Sequence, residues 1–163
     1  IRRTTTVLPQ KRRHAEAMVR TAINHVSNAA HQEFGRENQH LFNKARWISV
    51  LDSRTSPVCR ARAGKIYPID SGPRPPAHWQ CRSTIVLLPI GTEFRSEPQY
   101  DEWLSEQPTG VIDDILGPSR GRLFRHGQLS TTRMVDRFGR ALTLREFRAR
   151  DAAAFKRAGL SGF

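Results

Sequence analysis

The sequence of 163 residues has only two cysteines, Cys59 and Cys81, and only four lysines among its 27 basic residues. Two cysteines are too few for the disulfide framework of a small secreted domain, so we expect the chain to assemble in a reducing cytoplasm. No apolar stretch approaches the roughly 20 residues that a membrane-spanning helix needs. The longest apolar stretch, residues 84–90, is typical of a buried strand. We therefore expect no membrane partner.

Acidic residues are also scarce. The sequence has 15 of them and 27 basic residues, which gives a net charge of +12. The charge is uneven: residues 1–60 carry +7, residues 61–118 carry −3 and residues 119–163 carry +8. The guanidinium group of arginine can form two parallel hydrogen bonds to phosphate or carboxylate oxygens, which suits a nucleic-acid or protein interface. Coding bias towards arginine on a solvated surface is the alternative. Charge alone predicts only non-specific, salt-sensitive contact with double-stranded DNA.

The candidate DNA-binding residues lie in three basic clusters along the chain. They are Lys11, Arg12, Arg13, Arg120, Arg122, Arg125, Arg145 and Arg148. The first cluster is expected at the start of a helix, where the helix dipole disfavours positive charge. A partner phosphate or acidic surface would relieve that cost, and a plain solvated helix start is the other interpretation.

The first segment has the spacing of a helix. Apolar residues recur at steps of three and four on one face: Ala15, Met18, Val19, Ala22, Ile23, Val26, Ala30 and Phe34. Polar residues line the other side: Thr21, Asn24, His25, Ser27, Asn28 and Gln32. Gly35 is expected to end or break this helix.

From residue 46 the period changes to that of strands. Residues 46–51, 65–69 and 82–88 are rich in β-branched and aromatic residues and predict three short strands. Pro57 is suited to open a short helix that carries Cys59. The Pro-rich residues 71–77 predict a stiff loop that leads to His78 and Cys81. Trp47, Trp79 and Trp103 are each expected in a core rather than on a base-stacking surface.

Cys59, His78 and Cys81 are the candidate metal ligands. Two thiolates and an imidazole suit tetrahedral zinc, but the sequence offers no evident fourth ligand, with Asp52 the nearest candidate. A disulfide between the two cysteines, two packed thiols with His78 capping a turn, and a nucleophilic Cys/His pair are the other interpretations. The cofactor prediction is therefore open, with zinc as the one named metal.

The C-terminal third predicts short helices. Tyr100, Trp103 and Leu104 share one helical face, and residues 111–116 form another apolar turn that stops at Gly117. Thr143 and Glu146 have the spacing of a capping box that opens a final helix. On this helix Arg145, Arg148, Lys156 and Arg157 would form a basic face, which either contacts phosphate or is simply solvated.

Nine residues in order carry a resemblance to a known family: Asp52, Arg54, Thr55, Cys59, Gly64, Pro76, His78, Cys81 and Arg82. This set resembles the phage Mu F-like head morphogenesis family of minor head proteins. Its members place a leading helix before a D-x-R-T…C segment, a glycine and a P-x-H-x-x-C-R segment. The motif predicts structural roles for Asp52, Arg54, Thr55, Gly64 and Arg82. The tail resembles the extension of tailed-phage members, so the resemblance spans about residues 12–150.

The chain departs from the family pattern at two positions. Many members have C-x-x-C where this chain has Ser56 to Cys59, and C-R-C where it has Cys81-Arg82-Ser83. Two of four sulfurs are therefore missing, which weakens the prediction of a structural zinc and favours a packed or oxidised pair of cysteines.

The resemblance implies a non-enzymatic minor capsid protein, assembled in the host cytoplasm and located in the virion, inside the capsid near the portal. Its implied partners are the portal protein, the major capsid protein and packaged double-stranded DNA. The alternative is a toxin-type effector or nuclease that uses His78, Asp52 and Arg82. Against it, few carboxylates are placed to bind Mg²⁺ and no paired His–Glu motif is present.

The predicted fold class is α+β, with a long N-terminal helix packed on a small antiparallel sheet and followed by a helical C-terminal extension. The predicted segments are an N-terminal helical segment at 1–45, a Mu F-like α+β core at 46–90 and a basic, mainly helical extension at 91–163.

Overall fold

The structure is a computed structural model that describes the backbone of residues 4–160 and the side chains of residues 10–160. The outermost ends of the predicted first and last segments, residues 1–3 and 161–163, lie outside the described residues. The chain forms two compact units. The first comprises the described residues through Ile48 together with Ile66–Arg95, and the second comprises Ser49–Lys65 and the described residues from Ser96 onward. The predicted division into segments 1–45, 46–90 and 91–163 stays a prediction.

The first unit contains a three-stranded antiparallel sheet in the order β2-β1-β3. Its strands are β1 at Phe42–Ile48, β2 at Ile66–Pro68 and β3 at Thr84–Pro89. The central strand pairs Ala45 with Tyr67 on one side and with Leu87 on the other. Alternation along β1 buries Ala45 and Trp47 on one face, as expected for a strand with one packed side. The predicted α+β class is confirmed.

Helix α1 spans Thr4–Glu37 and continues past Gly35, where the sequence predicted an end or a break. Gly35 does not break it, because an added Cβ there would meet the Ile69 and Leu87 side chains at 2.1 and 2.9 Å. Glycine lets the helix approach the sheet closely. The early start also moves Lys11 about two turns inside the helix. The predicted dipole penalty on the basic cluster is therefore wrong, since that effect is confined to the first turn.

The polar face of α1 is the one that packs on the sheet. Asn28 and Gln32 are each 1% exposed. Asn28 Oδ1 accepts hydrogen bonds from the Ile85 N–H at 3.1 Å and the Thr84 hydroxyl at 3.2 Å. The Gln32 amide donates to the Ile69 carbonyl at 2.7 Å. These amides satisfy backbone groups that a three-stranded sheet leaves without a partner, which is why polar rather than apolar residues face it.

Asn24 and Thr21 extend this row of contacts along α1. The Asn24 amide donates to the Ser83 carbonyl at 2.9 Å, and the Thr21 hydroxyl accepts from the Gln80 N–H at 2.9 Å. The apolar residues on the opposite face are exposed, which contradicts the burial that their spacing would ordinarily indicate.

The second unit is built from short helices around one apolar core. They are α2 at Pro57–Arg62, α3 at Gln99–Ser105, α4 at Thr109–Leu116, α5 at Pro118–Arg125, α6 at Leu144–Arg150 and α7 at Ala152–Arg157, with a 3-10 turn at Thr131–Met134. Tyr100, Leu104, Leu123 and Ala154 are fully buried in this core. The sequence predicted α2, α3, α4 and the start of α6. It gave no helix for the Arg-rich stretch that forms α5.

The capping box that opens α6 is confirmed. The Thr143 hydroxyl accepts from the Glu146 N–H at 3.2 Å, and the Glu146 carboxylate accepts from the Thr143 N–H at 2.8 Å. The predicted single final helix is wrong, because it is divided at Asp151, whose carboxylate accepts from the Ala154 N–H at 3.0 Å and caps α7. The predicted basic face is therefore shared between two helices.

None of the helices in residues 4–160 is both long and apolar enough to cross a bilayer.

Candidate functional site

His78 and Cys81 are brought together within the first unit by a tight turn. The Cys81 N–H donates to the His78 carbonyl at 3.2 Å, and Gln80 between them adopts a left-handed φ of +56°. The hydrogen bond from Gln80 to Thr21 holds this turn against α1. One ring nitrogen of His78 and the Cys81 Sγ lie within 4.8 Å of each other. The predicted H-x-x-C spacing therefore places an imidazole and a buried thiol side by side.

The tautomer of His78 is set by its backbone contact. His78 Nδ1 lies 2.8 Å from the Trp79 carbonyl oxygen. Since a carbonyl oxygen can only accept, Nδ1 carries the proton and donates it. The lone pair of the neutral ring is then on Nε2, which is the arrangement seen in histidines that ligate metals.

Cys59 lies in the second unit, near the start of α2. The Ser56 hydroxyl caps this helix by accepting from the Cys59 N–H at 3.5 Å, and the Cys59 carbonyl accepts from the Ser49 hydroxyl at 2.9 Å. Cys59 is 2% exposed and Cys81 is 4% exposed, and both are thiols rather than halves of a disulfide. A site that joins Cys59 to His78 and Cys81 stays a prediction.

The donor set fits zinc in type but not in number. Thiolate and imidazole are the ligands that zinc prefers, and structural sites usually have four of them. The chain contains no third cysteine. Asp52, the nearest candidate for a fourth ligand in the sequence, has another role. Its Oδ1 accepts from the Arg54 N–H and the Thr55 hydroxyl, each at 3.0 Å.

The D-x-R-T segment forms a capped turn in the second unit. Besides the contacts of Asp52 Oδ1, the Thr55 hydroxyl lies 2.5 Å from the Val50 carbonyl, and the Asp52 carbonyl accepts from the Tyr100 hydroxyl at 2.7 Å. Arg54 is different, because its side chain is 81% exposed and lies 3.8 Å from Asp52 Oδ2. The turn residues Asp52 and Thr55 thus have structural contacts, whereas Arg54 extends into solvent.

Arg60 is the residue of this segment that the sequence analysis missed. Its guanidinium donates to three carbonyls, those of Thr55 at 2.6 Å, Ser53 at 3.1 Å and Ile115 at 3.1 Å. It also lies over the Tyr100 ring at 5.4 Å from the centroid. Burial lowers the pKa of Arg60, although the nearby Tyr100 and Asp52 oppose that shift. Nothing in the local spacing distinguishes this arginine from its solvated neighbours.

The backbone at position 64 requires glycine. It adopts a φ of +78°, and a Cβ added there would lie 2.0 Å from the Glu97 carbonyl oxygen. The Gly64 carbonyl also accepts from the Glu97 N–H at 3.4 Å. Only glycine fits a left-handed conformation with a backbone this close. Arg82, the last residue of the predicted structural motif, has an exposed side chain in the first unit.

Several of the candidate DNA-binding residues have contacts within the protein. Arg120 donates to the Leu142 carbonyl at 2.8 Å, and Arg125 forms an ion pair with Asp113 at 2.5 Å. Arg12 pairs with Glu16 one turn along α1 at 3.0 Å, with the Arg12 side chain 82% exposed. Lys11 and Arg13 are also exposed on α1.

The remaining predicted basic residues lie on α5 and α6 of the second unit. Arg122 and Arg145 are exposed, and Arg148 is partly buried. Arg145 and Arg148 line an open groove of about 740 Å³ with the apolar side chains of Leu144, Ala149, Ala152 and Phe155. A groove lined by apolar side chains and two arginines can take an anionic partner.

The tryptophans separate into core and surface. Trp47 is fully buried, and Trp103 packs edge-on against Tyr100 with ring centroids 5.1 Å apart. Trp79 is 70% exposed, so the prediction that it belongs to a core is wrong. It projects from the turn that its neighbours His78 and Cys81 define.

The comparisons with known proteins agree with the motif residues. A family model described as Phage Mu protein F like protein matches residues 1–86, which is more than half of the chain. No curated protein and no solved structure matches the chain. The chain therefore belongs to the Phage Mu protein F like family, which indicates a structural protein of phage head morphogenesis found in the virion.

Proposed function

We propose that this protein is a non-enzymatic minor component of the phage head, located inside the capsid near the portal. It binds the portal protein and the major capsid protein, and it contacts packaged DNA through exposed arginines. The observation that carries the head assignment is the family match over residues 1–86. The DNA contact is supported separately by the charge of +8 on residues 119–163 and by the exposure of Arg122 and Arg145.

Contact with other head proteins is supported by the surface of the first unit. Trp79 is 70% exposed and stands on a turn that hydrogen bonds hold to α1. Exposed tryptophans on rigid turns often anchor protein interfaces, because they bury a large area with few rotatable bonds. The test is co-sedimentation of the purified chain with assembled portal rings. We expect Trp79→Ala to reduce binding at least tenfold, while Phe138→Ala, which removes another highly exposed aromatic ring, leaves it unchanged. Equal binding by all three proteins would contradict this role for Trp79.

DNA contact is assigned first to Arg122 and Arg145, whose side chains are exposed. Arg120 and Arg125 are held by Leu142 and Asp113, so we give them a secondary part. Arg145 and Arg148 line a groove, and Arg122 is exposed on α5. Because such contacts release condensed counterions, the binding constant should fall steeply with salt and show no sequence preference.

The DNA experiment measures binding to a random duplex by fluorescence anisotropy across a series of salt concentrations. Each lost phosphate contact lowers the magnitude of the negative slope of log K against log salt by about 0.9. We expect the double variant Arg145→Gln, Arg148→Gln to lower it by about 2. The matched control, Lys44→Gln with Arg74→Gln, removes the same charge from exposed positions of the first unit. Equal losses in both variants, or no binding at low salt, would refute a DNA contact at this groove.

A metal role for Cys59, His78 and Cys81 is a separate proposal. It is supported by the Nε2 lone pair of His78, the adjacent buried Cys81 thiol and the buried Cys59 thiol. Zinc would supply a fixed link between thiolate and imidazole, with no catalytic step. Elemental analysis of protein purified in the presence of zinc should find about one zinc per chain, because the chain offers a single set of these ligands. His78→Ala should lose it and His40→Ala should keep it. Protein with no zinc and two titratable thiols would leave the two cysteines as packing residues.

The enzyme alternative has no support in these contacts. The Asp52 carboxylate accepts from the Arg54 N–H and the Thr55 hydroxyl, which is the role of a turn cap rather than of a metal ligand or base. Incubation with supercoiled plasmid and Mg²⁺ tests it directly. Cleavage that disappears in His78→Ala would establish the nuclease and overturn the proposal of a non-enzymatic protein.

A further inference from the structure

Helix α1 carries an exposed apolar stripe formed by Val19, Ile23, Val26 and Phe34. These side chains are between 56% and 67% exposed. At 100° per residue the stripe lies opposite the face of Asn24, Asn28 and Gln32, which is hydrogen-bonded to the sheet and its loops. The helix cannot rotate to bury the stripe without breaking those bonds. The stripe is therefore a fixed outward surface.

The stripe has the length and spacing of a helix-pairing seam. Residues 19–34 span about 22 Å along the helix axis at 1.5 Å per residue. Val19, Ile23, Val26 and Ala30 follow one another at steps of four, three and four, which is the spacing that packs one helix along another. A contiguous apolar surface of this kind marks an interaction site in a soluble protein.

The charges on α1 select both the occupant and its direction. The stretch before and at the start of the stripe carries Lys11, Arg12, Arg13 and Arg20 against a single Glu16. The far end carries Glu33 and Glu37 against a single Arg36. One end of the helix is thus basic and the other acidic, so the same helix in the opposite direction is its complement. A parallel copy would place cations beside cations.

We propose that the stripe binds the stripe of a second copy of this chain in an antiparallel, two-fold symmetric helix pair. Such an isologous contact brings the apolar centre of each helix against the other and the basic end of each against the acidic end of its partner. This inference does not depend on the proposed head location or on DNA contact, because it concerns only the surface of α1.

Cross-linking with a short bismaleimide tests the direction on the full chain. Ile23→Cys, near the centre of the stripe, should give covalent dimers by itself. Phe34→Cys should not, because the two position-34 side chains lie at opposite ends of an antiparallel pair. Phe34→Cys mixed with Ala15→Cys should restore cross-linked dimers. The parent chain measures the background from the buried Cys59 and Cys81. Dimers of Phe34→Cys alone would refute the antiparallel arrangement.

Sedimentation equilibrium tests the pairing itself. Ile23→Asp should weaken self-association at least tenfold, because it places a charge in the apolar seam. His25→Asp adds a carboxylate at an exposed position of the same helix, about 140° around the axis from the centre of the stripe, and it should change the dissociation constant less than threefold. A parent chain that stays monomeric at about 100 µM would overturn the proposal. An equal loss in both variants would do so as well.

Discussion

Replacing Asn28 tests the unusual orientation of α1 most directly. Asn28→Ala removes the only described acceptor of the Ile85 N–H, which is buried, and the partner of the Thr84 hydroxyl. An unsatisfied buried donor costs about 1–3 kcal/mol, and a lost hydrogen bond of ordinary strength adds about 0.5–1.5 kcal/mol. We therefore expect the free energy of unfolding to fall by about 1.5–4.5 kcal/mol.

The assay combines urea unfolding with amide hydrogen exchange at low protein concentration. In Asn28→Ala the Ile85 amide should exchange faster, since its acceptor is gone. The control is Val26→Ala on the exposed face, which should stay within about 0.5 kcal/mol of the parent. The amphipathic pattern by itself would give the opposite ranking. A large loss from Val26→Ala together with an unchanged Asn28→Ala would show that the apolar face is the packed one, and the reasoning would fail.

Three further changes test the second unit and its capped turns. Arg60→Met should lower the unfolding free energy by about 3 kcal/mol, because three carbonyls lose a cationic donor. Urea unfolding measures this loss, and a value below about 1 kcal/mol would contradict the structural role of Arg60. Gly64→Ala should lower the unfolding free energy by more than about 2 kcal/mol in the same assay. Gly127→Ala is the control, because Gly127 also has a positive φ but has open space around it, and it should cost only about 1 kcal/mol. Equal costs would exclude the clash between a side chain at position 64 and the Glu97 carbonyl. The contacts of Glu146 with Arg140 and Thr143 lower its pKa from 4.5 to about 2, so it stabilises the fold above pH 4.5 and loses that effect as the pH falls towards 2. Glu146→Gln should therefore show a flatter stability profile between those pH values, and an unchanged profile would be the contrary result.

The sequence predicted features that are determined by local spacing. The Thr143 and Glu146 pair requires only residues three apart, and the structure shows it as predicted. Pro57 likewise opens α2 where expected, and the structure adds Ser56 as its N-cap. Local backbone groups and their capping side chains are neighbours in the chain, so a single sequence contains the information that places them.

The orientation of α1 could not be predicted in the same way. Periodicity separates an apolar from a polar face, but it does not say which backbone groups of the sheet need partners. The carbonyl of Ile69 and the N–H of Ile85 are satisfied by Gln32 and Asn28, which lie 37 and 57 residues away in the chain. Arg60 was missed for a related reason, because one of its three carbonyls belongs to Ile115, 55 residues later.

The amides of α1 also protect the sheet against unwanted pairing. Strand β3 is at the edge of the sheet, and Asn28 already accepts the N–H of Ile85 there. An edge strand without such cover recruits strands from other molecules and aggregates. Fragments that begin after residue 37 would expose this apolar strand, Thr84–Pro89, along its open side. A truncated chain intended for expression should therefore keep the leading helix, since the sheet depends on it for solubility as well as for stability.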